Sequence, residues 1–335
     1  MTDILLLAAG FGTRLRPLTN EIPKALVPIH GVPLLDIHIH RLVHGTEETP
    51  SNEVMGPDGH IVINTHHLAA QVETHVRHHP LAARLALSFE REILGTGGAM
   101  VAAADQLRSD PFVVLNTDSL FRAPLAEALA FHREHDHLAT MIVTTQSLHP
   151  NVHATGGRVR AIDRTRTDPG AYTFTGTHIV SRRLLDTMPA GIFHDIRDTY
   201  DGLGREGRLG AFVVDGGDAP LIDVGTPAAY LEAHRRCTPA TGLRYGVDRR
   251  LLAPTSSLLA GYGYVSPAAR VAEGVRISDS VILGDAILDA GIEVTGSVVS
   301  AGTHVRSSAR GVLITPRERR RIDDRGGHPS LARLR

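Results

Sequence analysis

The sequence is short of the features that would place a chain outside the cell or in a membrane. It holds one cysteine, Cys237, which excludes an internal disulfide and makes a reducing cytoplasm the simplest compartment. No apolar run approaches the ~18 residues of a membrane span. The N-terminus has no basic region ahead of its first apolar stretch, and that stretch runs directly into glycines, so it reads as a core strand and not as a signal peptide. Excess charge of either sign is lacking too. Lys+Arg 35 against Asp+Glu 36 leaves a net charge of −1, which gives no electrostatic argument for nucleic acid or a membrane surface as partner. Histidine is abundant at 20 residues, but His66-His67, His78-His79 and the His38/His40 pair sit at spacings that do not converge on one metal-ligand face.

What is present begins at the N-terminus. The apolar strand Ile4–Leu7 leads into Ala8-Ala9-Gly10-Phe11-Gly12-Thr13-Arg14-Leu15-Arg16-Pro17-Leu18-Thr19, followed by Pro23-Lys24 and Pro28. Glycines after a buried strand let backbone N–H groups approach phosphate oxygens, and Arg14 and Lys24 supply positive charge, so the segment suits a nucleoside triphosphate. The spacing is neither that of a Walker loop nor that of a dinucleotide-binding turn.

Up to about residue 235, short apolar strands alternate with helical patterns. Strands are predicted at 4–7, 61–64, 85–89, 112–115 and 139–144, and helices at 34–43, 68–78, 99–107 and 125–135. This is the pattern of an α/β protein with a Rossmann-like mixed, mainly parallel sheet flanked by helices. The polar stretch 45–60 reads as a surface insertion, and 159–162, 172–180 and 211–214 read as strands completing the sheet over the pocket. Ligands on such sheets bind outside the carboxyl ends of the strands, where the glycine loop lies.

The stretch 7–28 resembles the signature of the sugar-1-phosphate nucleotidyltransferases, the NDP-sugar pyrophosphorylases, written G-x-G-T-R-L-x-P-L-T…P-K. The resemblance extends over nearly the whole chain and is strongest at 7–28, 90–118 and 221–231. It implies an enzyme that joins an NTP to a sugar 1-phosphate and releases pyrophosphate, with Mg²⁺ as cofactor and Arg14, Lys24, Asp118 and Asp223 as catalytic residues. The metal aspartates of the family match Asp118, in Asn116-Thr117-Asp118, and Asp223, in Asp223-Val224-Gly225-Thr226-Pro227. Taken alone, each is an ordinary turn or cap aspartate.

The same resemblance implies nucleotide contacts at Ala8, Ala9, Gly10, Gly12, Thr13, Glu90, Gly95 and Gly97, and sugar contacts at Asn116 and Gly176. Glu90 as a carboxylate only accepts hydrogen bonds, which suits the adjacent N–H donors of guanine better than the mixed edge of uracil or thymine. GTP with mannose 1-phosphate or a related sugar is the pair the resemblance implies, because Ser280-Val281-Ile282-Leu283-Gly284-Asp285 is similar to the hexapeptide coils of the mannose-1-phosphate guanylyltransferases. The alternative is a uridylyl or thymidylyl transfer to another sugar 1-phosphate, such as N-acetylmuramate 1-phosphate, because Asn64-Thr65-His66-His67-Leu68 resembles a segment of those enzymes. One family feature is missing: the Glu-Lys pair before the sugar strand, where this chain has Asp163-Arg164-Thr165-Arg166. Arg164 or Arg166 is the candidate replacement.

After a linker at 237–258 the texture changes. Val265, Val271, Ile277, Leu283, Leu288 and Val294 place aliphatics at steps of five or six, the pattern of a short left-handed parallel β-helix of hexapeptide type over 259–316. The catalytic domain is expected at 1–236 and a flexible tail at 317–335. An open β-helix favours self-association, so a homo-oligomer formed through it is expected, in a cytoplasmic enzyme of NDP-sugar biosynthesis serving cell envelope polysaccharide. Two other classes compete with this reading. A catalytically silent regulatory subunit would have lost one of the four catalytic residues, and all four are present. An acyltransferase with His304 as base would need more coils than some fifty residues can give.

Overall fold

The computed structural model of the chain describes residues 2–46, 49–50, 55–56, 58–163, 170–217, 220–252 and 256–322. Its centre is a nine-stranded sheet. In chain order the strands are β1 (Ile4–Leu7), β2 (Ile61–Thr65), β3 (Leu85–Phe89), β4 (Phe112–Asn116), β5 (Ala139–Thr144), β6 (Pro150–Thr155), β7 (Arg158–Ile162), β8 (Tyr172–Val180) and β9 (Leu209–Val214). The spatial order is β5-β9-β7-β6-β8-β4-β1-β2-β3. β4, β1, β2 and β3 run parallel, as does the β5–β9 pair, whereas β8 is antiparallel to β4 and to β5.

Successive side chains of these strands serve two cores, as the alternation of a strand requires. Ile4, Leu6, Ile61, Ile63, Val113 and Leu115 pack on one face with α1 (Leu34–His44), α2 (Ala69–His78) and α4 (Leu125–Glu134). Leu5, Val62, Phe112 and Val114 pack on the other with α3 (Gly95–Ala102) and α5 (Ile196–Arg205). Because both faces are covered, the strands read as continuous apolar runs.

The predicted strands and helices recur with their ends moved by a few residues, with one larger shift. The helix expected over 99–107 starts at Gly95 and ends at Ala102, followed by a 3₁₀ turn at Ala104–Gln106. Glycine is a poor helix former, but Gly97 N–H donates to the His194 carbonyl at 3.0 Å, and this contact draws the glycines into the first turn. The stretch 45–60 is not wholly a surface insertion either. Gly45–Thr46 pairs with Thr49–Pro50, and Met55 is buried in the first core.

The C-terminal part consists of short strands stacked in parallel. Arg270 lies opposite Ile287 and Ile287 opposite His304, Ile277 opposite Val294, and Val281 opposite Val298, a recurrence of 17 residues that curls the chain back over itself. Val265, Ile277, Leu288 and Val294 fill its interior. Leu283 instead faces the sheet domain, and Val271 is half-buried, because the coil is not equally enclosed on all sides.

Two expectations about connections change. The stretch 237–258 is no loose tether: Cys237, Tyr245, Val247 and Leu252 are buried together with Tyr230 and Leu231 of α6 (Pro227–Arg236). The expected flexible tail begins with an ordered strand, Arg319–Arg321, antiparallel to Val312–Ile314, and Ile322 is buried. Residues 323–335 lie outside the described residues.

Candidate functional site

At the carboxyl edge of the parallel strands Leu7 is flanked by Asn64 on one side and Asn116 on the other. The Asn64 amide bridges neighbours at this rim: Oδ1 accepts from the Ala8 N–H at 2.6 Å, and Nδ2 donates to Glu90 Oε1 at 2.7 Å. Ala8 and Ala9 are buried, while Gly10, Thr13 and Arg14 are exposed along the loop that follows. The Thr19 hydroxyl donates to the Gly12 carbonyl at 2.8 Å and closes that loop on itself.

The four residues predicted to be catalytic meet here. Thr117 bonds back to the Leu7 carbonyl through its hydroxyl at 2.8 Å, which turns Asp118 over the rim. Ser119–Leu120 then pairs antiparallel with Ile222–Asp223, setting Asp223 opposite Ser119, and the Val224 N–H donates to the Asp118 carbonyl at 2.9 Å. These bonds bring together two aspartates that are far apart in sequence. Lys24 Nζ lies 2.5 Å from Asp118 Oδ2, and Arg14 Nη2 lies 3.3 Å from Asp223 Oδ2. A Cβ on Gly225 would stand 2.4 Å from Arg14 Nη2, so glycine is what admits the guanidinium.

Desolvation pushes the Asp118 carboxyl upward, but the Lys24 ammonium beside it and the Arg14 guanidinium beyond outweigh burial and hold it below its usual pKa. Behind it, buried His38 meets the Thr117 carbonyl at 3.1 Å, and burial together with the nearby Arg41 guanidinium lowers its pKa to about 3. Among the described residues no group of three or more His, Cys, Asp or Glu side chains is gathered for a metal. The Asp118 and Asp223 side chains are partly exposed, 27% and 26%, so two hard carboxylates face the cleft. That donor set fits Mg²⁺, which takes one or two carboxylates and completes its shell with phosphate oxygens and water.

The second glycine cluster is only partly at the cleft. Gly95 and Thr96 line a pocket with Gly10, Lys24, Asn116 and Asp118. Gly97 does not: a Cβ there would lie 2.3 Å from His194 Cδ2, so its glycine serves close packing against the 192–194 segment. Glu90 also lines this pocket, but it is buried, with Oε1 bonded to Asn64 and Oε2 accepting from the Leu94 N–H at 2.8 Å. One bond on each oxygen ties this carboxylate to the strand ends and leaves each oxygen a further lone pair. A Cβ on Gly176 would stand 2.8 Å from Ser119 Oγ and 3.0 Å from Asn116 Cβ, so Gly176 lies against Asn116 at the same rim.

Beyond Asn116 the cleft continues into a second pocket of about 370 Å³, lined by Asn151, Phe174, His178, Phe193, Arg197 and Tyr200 among others. Apart from the strand that carries Phe174 and His178, sequence reading missed these residues. The missed residues come from three separate segments, β6, the 192–194 stretch and α5, and share no local motif. The His178 ring nitrogen Nδ1 lies 2.8 Å from the Tyr200 hydroxyl. Burial lowers the histidine's pKa to about 3 and raises that of the phenol, so the hydroxyl donates to a neutral ring. Arg164 and Arg166, the candidate replacements for the missing lysine, lie outside the described residues. His149 was not singled out from sequence either, although its Nε2 lies 4.0 Å from Asp223 Oδ2.

Comparison with known proteins agrees with this geometry. Residues 4–151 match the nucleotidyl transferase family. The chain is 34% identical over 253 residues to an N-acetylmuramate alpha-1-phosphate uridylyltransferase of Caulobacter vibrioides, a match covering 70% of this chain and 97% of the relative. It is 27% identical over 322 residues to mannose-1-phosphate guanylyltransferase 1 of Arabidopsis thaliana, covering 91% of this chain and 83% of the relative. In fold it is similar to the crystal structure of HddC from Yersinia pseudotuberculosis, with a TM-score of 0.55 and 23% identity over 70% of this chain and 98% of that one.

Proposed function

The chain belongs to the sugar-1-phosphate nucleotidyltransferases, enzymes that make an NDP-sugar and pyrophosphate from an NTP and a sugar 1-phosphate, and from that premise we propose how its own residues divide the work. The observation that carries the assignment is the double pairing of Lys24 with Asp118 and Arg14 with Asp223 on one rim.

The triphosphate lies along the loop 8–14, with its base and ribose toward Gly95 and its sugar-phosphate acceptor in the second pocket beside Asn116 and Gly176. An oxygen of the sugar phosphate attacks the α-phosphorus. That P–O bond forms as the bond from the α-phosphorus to the bridging oxygen breaks, and the electron pair leaves on pyrophosphate. The nucleophile is already an anion, so no general base is required, and catalysis rests on in-line positioning and charge neutralisation. Arg14 holds the β- and γ-phosphates as they depart, and Lys24 neutralises charge at the reacting phosphorus. Asp118 and Asp223 would hold Mg²⁺, which when bound supplies further positive charge to the phosphates.

GTP with mannose 1-phosphate or a related sugar remains the first reading, supported by the guanylyltransferase relatives that match 91% of the chain. The 34% identical uridylyltransferase favours UTP with N-acetylmuramate 1-phosphate as the second. We read residues 1–236 as the catalytic domain and the curled strands of 259–316 as a left-handed β-helix that joins copies of the chain. We place the enzyme in the cytoplasm, in supply of cell envelope polysaccharide. No helix among the described residues is long and apolar enough to cross a membrane. A grid of the four NTPs against mannose, glucose, N-acetylglucosamine, N-acetylmuramate and heptose 1-phosphates, read by pyrophosphate release with Mg²⁺, tests the assignment. Release with mannose 1-phosphate and GTP supports the first reading, and release confined to UTP replaces it with the second.

A further inference from the structure

The loop that carries Arg14 and Lys24 rests on the C-terminal strands. Its apolar residues Leu15, Leu18 and Val27 are buried in one cluster with Val281, Leu283, Val298, Leu313 and Ile322, which belong to the stacked strands and their final turn. Two polar contacts cross the same boundary. Arg320 Nη1 donates to the Arg16 carbonyl at 2.9 Å, and Ser300 Oγ donates to Glu21 Oε2 at 3.1 Å. A third close approach lies beyond the loop, where a Cβ on Gly31 would stand 2.7 Å from the Tyr264 hydroxyl.

On its other side the loop is tied to the 66–71 segment: the Phe11 ring meets His66 edge-on at 5.3 Å, His67 Nε2 lies 2.7 Å from the Thr19 carbonyl, and Gln71 Nε2 donates to the Glu21 carbonyl at 2.9 Å, which leaves the stretch around Arg16 to be held from the C-terminal strands. Phe11, Thr13, Arg14, Arg16 and Asn20 are exposed, and the loop is built from three separate 3₁₀ turns, Thr13–Leu15, Leu18–Asn20 and Lys24–Leu26, instead of one cooperative helix. A segment of that kind holds its position through what it rests on.

We propose that Arg320 and Ser300 are positioning residues for the triphosphate. From the C-terminal strands they hold the backbone of Arg16 and the side chain of Glu21, and so fix the loop from which Arg14 and Lys24 reach the phosphates. The C-terminal part then acts on nucleotide affinity within one chain, apart from any role in joining copies. A charge-assisted bond from a guanidinium to a carbonyl fixes direction as well as distance, which matters for Arg14, two residues from the held carbonyl.

The inference rests on the reading of loop 8–14 as the triphosphate cradle, so the test separates the two. GTP and UTP are titrated calorimetrically into the full-length wild type and into Arg320→Ala, Arg320→Lys, Ser300→Ala and Arg319→Ala, and the steady-state constants are measured with the active substrate pair. In Arg320→Ala the NTP KM and Kd are expected to rise about five-fold, with the sugar 1-phosphate KM unchanged. Arg320→Lys should recover part of the loss, and Ser300→Ala should show a smaller rise. Exposed Arg319, next in the strand, should match wild type. An Arg320→Ala affinity equal to wild type overturns the proposal, as does an equal rise in both KM values accompanied by a lowered Tm. A wild type that binds neither nucleotide overturns the cradle reading instead.

Discussion

Lys24 Nζ approaches Asp118 Oδ2 to 2.5 Å across 94 residues of sequence. The pairing explains how two carboxylates stand side by side on one strand rim without substrate: Lys24 neutralises Asp118, and Arg14 does the same for Asp223. Lys24 is the more buried of the two cations, so its pair with Asp118 does more to hold the rim, whereas the half-exposed Arg14–Asp223 pair contributes at most about 1 kcal/mol.

Removing one partner of the Lys24–Asp118 pair should therefore reveal its role. Lys24→Met is expected to lower kcat by about 10²-fold or more, as loss of a positioned charge at a reacting phosphorus does. It should also raise the Asp118 pKa, since the Lys24 ammonium is the largest influence opposing desolvation and only Arg14 and a backbone hydrogen bond would remain against it. Asp118→Asn should cost as much activity, and the double variant should lose far less than the product of the two. Rapid-quench kinetics of the three variants checks this, and fully multiplicative losses would show that the two residues do not act as a unit.

The glycines make a sharper contrast. Gly97→Ala would drive a methyl group to within 2.3 Å of His194 Cδ2 and displace the 192–194 segment, whereas Gly10 has no atom within 4 Å of the added Cβ. Gly97→Ala is expected to cost about 1–3 kcal/mol of stability, and Gly10→Ala less than about 0.5 kcal/mol. If Gly10 instead approaches phosphate, its alanine variant should lose nucleotide affinity at unchanged Tm. Thermal denaturation alongside NTP titration separates the two effects.

The sheet, and the rim that gathers Arg14 and Lys24 with the two aspartates, were legible in the sequence because most of their signals are local. The short run Ile4–Leu7 ends in glycines, as a doubly covered strand does, and the order Gly12-Thr13-Arg14 to Lys24 carries its chemistry in neighbouring residues. The hydrogen bonds of Glu90 were not legible because its partners, Asn64 and the Leu94 N–H, are fixed by strand register and helix placement, and residue type does not report them. The second pocket was unreadable for the same reason, since Asn151, His178 and Arg197 meet only after the antiparallel strands fold across the sheet. The stretch 237–258 looked like a linker by composition, yet Cys237 and Val247 are buried by contacts made at long range.

Acid should weaken the fold through its buried histidines. His178 and His38 each have a folded pKa lowered by burial from 6.5 to about 3. Above pH 6.5 both the folded and unfolded states hold them neutral and no penalty arises. As pH falls below 6.5 the unfolded chain takes up protons that the fold excludes, so stability declines until the folded pKa is reached. By pH 5 the loss is roughly 2 kcal/mol for each group. Urea denaturation between about pH 7.5 and pH 5 reads the slope, which His178→Gln should reduce. An unchanged slope in that variant would show that His178 is not excluded from protonation.

Truncation after residue 258 would ordinarily be used to ask whether the C-terminal strands join copies of the chain. Here it should do something else first. Leu15, Leu18, Ile29 and Tyr230 of the sheet domain share their core with Tyr264, Val281, Leu283 and Leu313, so the cut would expose a large apolar face directly beneath the glycine loop. At about 25 cal/mol per Å² of apolar surface, losing contacts of even a few such side chains removes several kcal/mol, a large part of a domain's total stability. The truncated chain is therefore expected to aggregate or to unfold well below the wild-type Tm, and light scattering would show a larger mass, not a smaller one. Oligomeric state is better probed by charge substitutions at exposed coil residues such as Arg270 and Arg276, which leave that shared core intact. A soluble, monodisperse truncation with wild-type nucleotide affinity would show that the loop holds its position without the strands under it.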